Sequence, residues 1–453
     1  MSDKNIERGD VGATRRLAHG VVNLRLEDVD REVLEIAKCC LLDWIGSTLA
    51  GSAEDLVDRL VETVGATSEG VSLLGRREFV ATTGDAALIN GTAGHAIEYD
   101  DSGLQAHVTA PVAPAVLALA EELEKTGYEF LSAFLAGLEC ELRIDEMTNP
   151  WVDLRAWHGT GVIGVFGAAA GCARLLNLNV EQVEIALGLA GVQGSGLKWA
   201  WGSMAKSLQA GMAASRGVMA ARLSANGFTT YPDIIEGKRG FGEMFVGENF
   251  NANGLVEGGK HPIHNVLFKF HASCHGTHSP IEAMAAVLES RPLQPEEIDS
   301  IVIEVPDGMS MSDWNIDRPT TALESKFSAR ACVAYTVLGW DTSSLDTYTE
   351  DRLKSPEYHS VAEKISIIGV FSKTPLDWTE ARAIVTLTNG EIIQRDVDIR
   401  YLDPSQRLDR IVKKFRVLAS PVVGQARSQS IIDFVLQLEE QPRISELLAL
   451  LSK

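Results

Sequence analysis

Six cysteines in 453 residues (Cys39, Cys40, Cys140, Cys172, Cys274 and Cys332) form no Cys-x-x-Cys pair, and four sit in helix-like apolar contexts. That sparsity argues against a disulfide framework and predicts reduced thiols in a cytoplasmic protein. Positive charge is short as well: 41 Lys and Arg against 62 Asp and Glu leave a formal net charge of −21. No basic patch rises from this background, which excludes a nucleic-acid partner. Long apolar runs are missing too. The stretch from Thr160 to Ala173 is nearly uncharged but covers only about 14 residues, short of a bilayer span, so a buried helix and no membrane partner are expected. The opening MSDKNIERGDVGATRR has no apolar core of the kind a secretory signal needs. No repeat of fixed length appears, which disfavours a solenoid.

What is present is ample apolar material, 45% of residues, and a length that suggests two or three domains. The first 260 or so residues read as helix after helix. Val33, Ile36, Ala37, Cys40, Leu41, Trp44 and Ile45 recur at helical spacing. Further helices are predicted over Ala113–Glu124, Glu129–Ile144, Gly161–Leu176, Glu181–Leu189 and Met204–Ala225, several rich enough in Ala and Gly for close approach. After about residue 260 the pattern changes. Ser279-Pro280 reads as a helix start, SIVIEV (300–305) as a strand, and ARAIVTLTNGEIIQRDVDIR as a hairpin around Asn389-Gly390. Helices are predicted between these strands, over Lys326–Leu338 and Val361–Ile367, and again from Ser405 to the end. The expected fold is mainly α with an α+β part. Residues 1–265 and 405–453 would build a helical domain, and 266–404 an inserted α+β lid.

In so acidic a chain, an enzyme for anions must gather its few basic groups locally. Four segments hold candidates. The first, GDAALINGTAGHAIEYDDSGLQAHVTAP, carries His95, Glu98, Asp100, Asp101, Ser102 and His107 between apolar helices, where unpaired charge is costly; a solvated acidic loop is the alternative. In the second, His158 heads the most apolar helix, where a helix N-terminus favours a neutral imidazole able to act as a base. In the third, Lys198 and Lys206 sit in GSGLKWAWGSMAKSLQ, with no acidic residue close in sequence to Lys206. The fourth, KHPIHNVLFKFHASCHGTHSP, holds His261, His264, His271, His275 and His278 with Lys269 and Cys274. Its spacings are weak evidence for a metal, so an anion-binding cluster is the better reading. A metal-binding protein built on these histidines and a cysteine hydrolase built on Cys274 with His278 are the rivals.

Taken together, NGTAGHAIEYDD, GLECELRI, WHGTGVIGVFGAAA, KSLQAGMAASRGVMAARLSANGFT, IIEGKRGF, LFKFHASCHGTHSPIEA and SKFS resemble the MmgE/PrpD family over nearly the whole chain. That resemblance implies a large helical domain, a smaller lid, a homodimer, and chemistry on a small polycarboxylate with no organic cofactor or metal. Such chemistry covers dehydration of 2-methylcitrate, decarboxylation of cis-aconitate and epimerisation of iminodisuccinate, and dehydration is the expectation by analogy. The catalytic positions of the family's decarboxylase branch would fall on Glu98, Ser102, His107, His158, Lys206 and Lys269. Glu98 stands where aspartate is typical and Ser102 where threonine is. His271-Ala272 replaces an aromatic-Pro pair, and His107 lacks its usual following proline. On this reading His158 transfers the proton, His107 complements it, and Lys206 and Lys269 hold carboxylates. Asp100 and Asp101 orient His107, and Lys198, His271, His275 and His278 join Asp101 as substrate-binding candidates.

Overall fold

The computed structural model describes residues 12–65, 67, 69–76, 79–252, 261–307, 316–371, 379–401 and 404–451. Long helices dominate its first half: Arg31–Gly51, Thr83–Gly94, Thr109–Glu122, Gly127–Thr148, Gly164–Leu175, Val180–Gly191 and Met204–Ala225. The Met204–Ala225 helix is central, packing on both Thr83–Gly94 and Gly164–Leu175. Small residues make this approach possible. A Cβ on Gly211 would fall 2.2 Å from the Leu88 carbonyl oxygen, and one on Gly217 would fall 2.3 Å from the Ala168 Cβ. Several helices are fastened at their starts. Thr126 with Glu129 and Asn179 with Gln182 form reciprocal capping boxes, each satisfying two backbone N–H groups that a helix start leaves open.

One hydrophobic cluster joins side chains from Ala13 to Phe268 with others from Ile411 to Leu451. The returning helix Arg407–Val423 packs on Arg31–Gly51, so both ends of the chain share this core. A second cluster runs from Ala272 to Ile393 and takes in Ile97, Tyr99 and Leu418. It is built on a four-stranded sheet of β3 (Ile298–Pro306), β4 (Ile365–Phe371), β5 (Glu380–Leu387) and β6 (Ile392–Asp398), in the order β4-β3-β5-β6. β3 runs parallel to β4 and antiparallel to β5. The β5–β6 hairpin turns at Asn389-Gly390 through a three-residue loop with Gly390 at φ +84°, the left-handed position such loops reserve for glycine. The helices His278–Ser290 and Ala329–Val337 pack against each other beside this sheet.

Three expectations need correction. Val361–Ile367 is not a helix. The Pro356–Ala362 helix ends there, and Ile365 begins β4, whose alternation of buried and exposed side chains is the period of two that a strand demands. The Gly161–Leu176 helix is broken at Ile163 into Gly159–Val162 and Gly164–Leu175. The helix at Ser279-Pro280 starts earlier, with Thr277 as its N-cap, so Pro280 lies inside the first turn, where its missing N–H costs nothing. A short antiparallel pair, β1 (Val71–Ser72) with β2 (Val80–Ala81), had no sequence signal. Among the described residues no helix is long and apolar enough to cross a membrane.

Candidate active site

The Thr83–Gly94 helix ends at His95, and the chain then runs irregularly to Val108, where the next helix is capped. Within this stretch His95, Glu98, Asp100, Asp101 and Ser102 are all buried. Glu98 takes φ +59°, a left-handed conformation that costs a non-glycine residue about 1–3 kcal/mol and persists only when its surroundings enforce it. The enforcement is visible. Three successive carbonyls are each held by a lysine from a different part of the chain: Lys326 Nζ donates to Ile97 O at 2.9 Å, Lys269 Nζ to Glu98 O at 3.0 Å, and Lys414 Nζ to Tyr99 O at 2.5 Å. Ser207 Oγ adds a hydrogen bond to His95 O.

The Glu98 carboxylate lies 2.5 Å from Lys206 Nζ and 3.8 Å from Lys269 Nζ. Burial alone would raise its pKa, but Lys206 first, then His95 and Lys269, hold it down at about 2. So Lys206 does have a neutralising partner, 108 residues away in sequence rather than nearby. An ammonium has three donors, and one contact with Glu98 leaves others for a ligand. Burial lowers Lys269 below the ordinary lysine range, opposed by Glu98 and Asp100, and brings Lys326 down to about 8.

Beside this pair stand three imidazoles. His95 and His107 rings lie 4.4 Å apart edge to face, and His95 and His158 rings 6.0 Å apart. Asp100 serves two of them. Its carboxylate accepts from His95 Nδ1 at 2.8 Å and lies 3.1 Å from His107 Nδ1, close but out of line for a hydrogen bond. His158 caps the short Gly159–Val162 helix and is buried, which rules out a surface position. Its Nδ1 faces the Gln209 carbonyl oxygen at 3.3 Å. That oxygen also accepts from Leu197 N, and the Gln209 amide donates to Leu197 O, so the amide orientation is fixed in both directions. His158 Nδ1 therefore carries the proton, which leaves Nε2 as a bare lone pair. Burial first, then Lys206, His95 and His107, push His158 well below the ordinary imidazole range. Burial brings His107 down to about 3 against the pull of Asp100. His158 Nε2, His95 Nε2 and Trp201 Nε1 are all buried with no hydrogen-bond partner among the described residues.

Other candidates fall outside this group. Asp101 turns away to cap the Thr109–Glu122 helix, accepting from Thr109 N at 3.2 Å and Thr109 Oγ1 at 2.6 Å. Burial, reinforced by Asp43, raises it to about 7. Asp101 thus holds the loop in place, while Asp100 alone meets the histidines. Lys198 pairs with Asp153 and lies over the Trp201 ring, whose far neighbour is His158, at 5.9 Å between ring centres. The five histidines of 261–278 do not form one cluster. His261 meets Glu139, and His264 approaches Glu32. His271 sits between Thr342 and Glu282. Only His275 and His278 lie together with it, by ring contacts of 4.6 and 4.9 Å. His275 Nδ1 contacts Ser102 Oγ at 2.6 Å, which ties this group to the loop. Burial raises the Cys274 thiol, against the activation a nucleophilic cysteine needs.

Sequence reasoning noted His95 but assigned it no role, and it missed Lys326, Lys414, Gln209 and Trp201. The apolar positions flanking Lys414 signalled a buried helix face, and Lys326 lay within the SKFS motif; nothing signalled Gln209 or Trp201. Among the described residues the group able to hold a metal is His95, Asp100 and His107, with ligand atoms within 4.8 Å of one another, rather than the 261–278 histidines. Its Asp100–His95 contact is already a good hydrogen bond, which fits an Asp-oriented imidazole pair.

Buried imidazoles beside lysine-carboxylate pairs, at the seam of two hydrophobic clusters, are the groups that proton transfer on an anionic substrate needs. Residues 15–253 match the MmgE/PrpD N-terminal domain and residues 271–440 the MmgE/PrpD C-terminal domain. The chain belongs to the MmgE/PrpD family. It is 30% identical to a cis-aconitate decarboxylase-like protein of Aspergillus oryzae over 97% of both chains. It is 26% identical to a cis-aconitate decarboxylase of Aspergillus terreus, over 97% of this chain and 96% of that one. With the cis-aconitate decarboxylase of Homo sapiens the figures are 25%, 97% and 94%.

Proposed function

We propose that this enzyme is a lyase that decarboxylates a small unsaturated tricarboxylate of the cis-aconitate type. The observation that carries the reading is the set of three buried polar atoms, His158 Nε2, His95 Nε2 and Trp201 Nε1, that have no partner among the described residues, next to Lys206 and Lys269. Unpaired buried polar groups are costly, so their convergence marks a place completed by a ligand. The names of its full-length relatives favour decarboxylation over the dehydration that analogy had suggested.

In such a reaction the bond from a methylene carbon to its carboxylate breaks and CO₂ leaves. The electron pair passes through the adjacent double bond onto the carbon beside a second carboxylate. That carbon then takes a proton, giving a dicarboxylate with a terminal methylene. Negative charge grows on the remaining carboxylate, where spare ammonium donors on Lys206 and Lys269 stabilise it. A histidine supplies the proton. Burial keeps His158 and His107 neutral, but a bound polyanion offsets Lys206 and raises both, which makes them competent acids. Dehydration of a hydroxy acid would run through the same kind of carbanion, with His158 Nε2 taking the proton, and is the second reading. Further proposals are that the α+β part covers the site as a lid, and that the protein is a cytoplasmic homodimer. The exposed Trp199, Phe228, Tyr231 and Met244 are large apolar side chains that a second copy would cover.

The test is NMR of the purified protein in deuterated water with cis-aconitate, 2-methylcitrate and iminodisuccinate, each supplied separately. Expected is CO₂ release from cis-aconitate with one deuterium on the saturated carbon beside the remaining carboxylate and none in the terminal methylene. Turnover of another acid alone would replace this substrate, and neither turnover nor exchange with any of them would sink the reading.

A further inference from the structure

The backbone passes from the larger hydrophobic cluster to the smaller between Phe270 and Ala272, and returns between Val397 and Leu408. Both crossings line one cavity of about 160 Å³, walled by Phe268, Phe270, His278, Arg400, Arg407 and Arg410. That volume is below the ~300 Å³ at which drug-sized pockets begin, so it suits a compact guest. Much of the charge around it is already committed. Arg400 pairs with Asp398, Glu282 is taken by His271 at 3.1 Å, and Arg407 lies 3.8 Å from Glu32. Two groups are not. The Arg410 guanidinium lies 3.6 Å from the Phe270 ring centre and has no hydrogen bond or ion pair among the described residues. His278 is 4% exposed, and its Nε2 is buried without a partner among the described residues.

A guanidinium flattened on an aromatic ring keeps its edge free, and that edge matches two oxygens of one anion. We propose that this cavity binds a compact dianion, inorganic phosphate or a four-carbon dicarboxylate, between Arg410 and His278 Nε2. It is separate from the His158 site. His275 forms the partition, facing the cavity while its Nδ1 holds Ser102 Oγ on the other side. A guest here touches both crossings, so it favours whichever arrangement of the two parts fits it best.

The test is calorimetric titration of the full chain in a phosphate-free buffer, with inorganic phosphate and with succinate as separate probes. Wild type is compared with Arg410→Gln, Arg410→Lys and the charge-balanced double variant Lys206→Met/Glu98→Gln at the catalytic site. At least one probe should bind wild type and the double variant alike. Arg410→Gln should weaken binding roughly tenfold or more, and Arg410→Lys, which keeps charge but not the fork, by an intermediate factor. Turnover of both Arg410 variants without added anion should stay near wild type, which shows that they fold. Binding by phosphate alone or succinate alone supports the proposal and names the guest. The proposal is overturned if neither probe binds wild type below about 10 mM. Equal affinity for the Arg410 variants, or loss of binding in the double variant, overturns it as well.

Discussion

Lys206→Met puts the most strain on the electrostatic reading of the site, because it strips the nearest cation from a buried carboxylate. Glu98 is 2% exposed and held at about 2, against an ordinary 4.5. That difference is worth about 3 kcal/mol at neutral pH, since each pKa unit is ~1.4 kcal/mol. The sign follows from the depressed pKa: the stabilisation is complete above about 4.5 and is lost as pH falls toward 2. Removing Lys206 leaves Lys269 at 3.8 Å as the remaining cation near Glu98, and breaking a buried pair on one side costs about 3–5 kcal/mol. The lower end is expected here because Lys269 remains. At roughly 2–4 °C per kcal/mol for a cooperative unit of ordinary domain size, Tm should fall by roughly 6–12 °C. Adding Glu98→Gln removes the orphaned charge and should return most of that loss, while turnover stays abolished in both variants. Thermal unfolding followed by circular dichroism, with activity measured alongside, separates the two effects. If Lys206→Met melts with wild type, or Glu98→Gln fails to rescue it, Glu98 is not an ionised partner of Lys206 and the account of the site is wrong.

His158→Gln keeps a hydrogen-bonding side chain but no transferable proton. Turnover and deuterium exchange should collapse while binding of a tricarboxylate persists, and near-normal turnover would reverse the roles of histidine and lysine. Binding of the anionic substrate should draw protons onto His158 and His107, both held below their ordinary range by burial. Calorimetry in buffers of different ionisation enthalpy should therefore show net proton uptake near neutral pH, and its absence in wild type would refute proton loading by substrate. Activity should survive dialysis against EDTA. Loss restored by a single divalent metal would instead assign ligation to His95, Asp100 and His107.

Much of the helical half was legible because a period of 3.6 residues survives in long segments such as Arg31–Gly51 and Met204–Ala225. The Asn389-Gly390 hairpin was legible because a left-handed turn position calls for glycine. Val361–Ile367 misled because a short apolar run fits either period, and the parallel partner that settles it, β3, lies some sixty residues upstream. The site divides in the same way. His107, His158, Lys206 and Lys269 stood out as basic groups in apolar surroundings, and the structure brings all four near one seam. Their partners did not stand out. The pairing of Glu98 with Lys206, or of Lys414 with Tyr99 O, joins residues 108 and 315 positions apart, and no local pattern records such a contact. Asp101 illustrates the converse. Adjacent carboxylates look equivalent in sequence, yet backbone geometry sends Asp100 to the histidines and Asp101 to a helix N-terminus.

The lysines then explain more than substrate charge. In a chain with a net charge of −21, burying Lys269 and Lys414 and half-burying Lys326 is costly, and a site built only to attract anions would leave them facing solvent. Lys414 is compensated in part by the buried Asp43 at 2.6 Å, and all three lysines hold the carbonyls of Ile97, Glu98 and Tyr99, three consecutive peptide groups in a segment that departs from ordinary backbone geometry. Lys326 comes from the part of the chain that builds the smaller hydrophobic cluster, and Lys414 from the returning C-terminal helix. The left-handed turn at Glu98 is thus fixed by elements from both parts of the molecule. The same turn aims the Glu98 carboxylate at Lys206 and sets Asp100 between His95 and His107. Catalytic geometry and the docking of the two parts therefore depend on one another. A displacement that withdrew Lys326 from Ile97 O would relax the turn, and with it the position of both the carboxylate and the imidazoles.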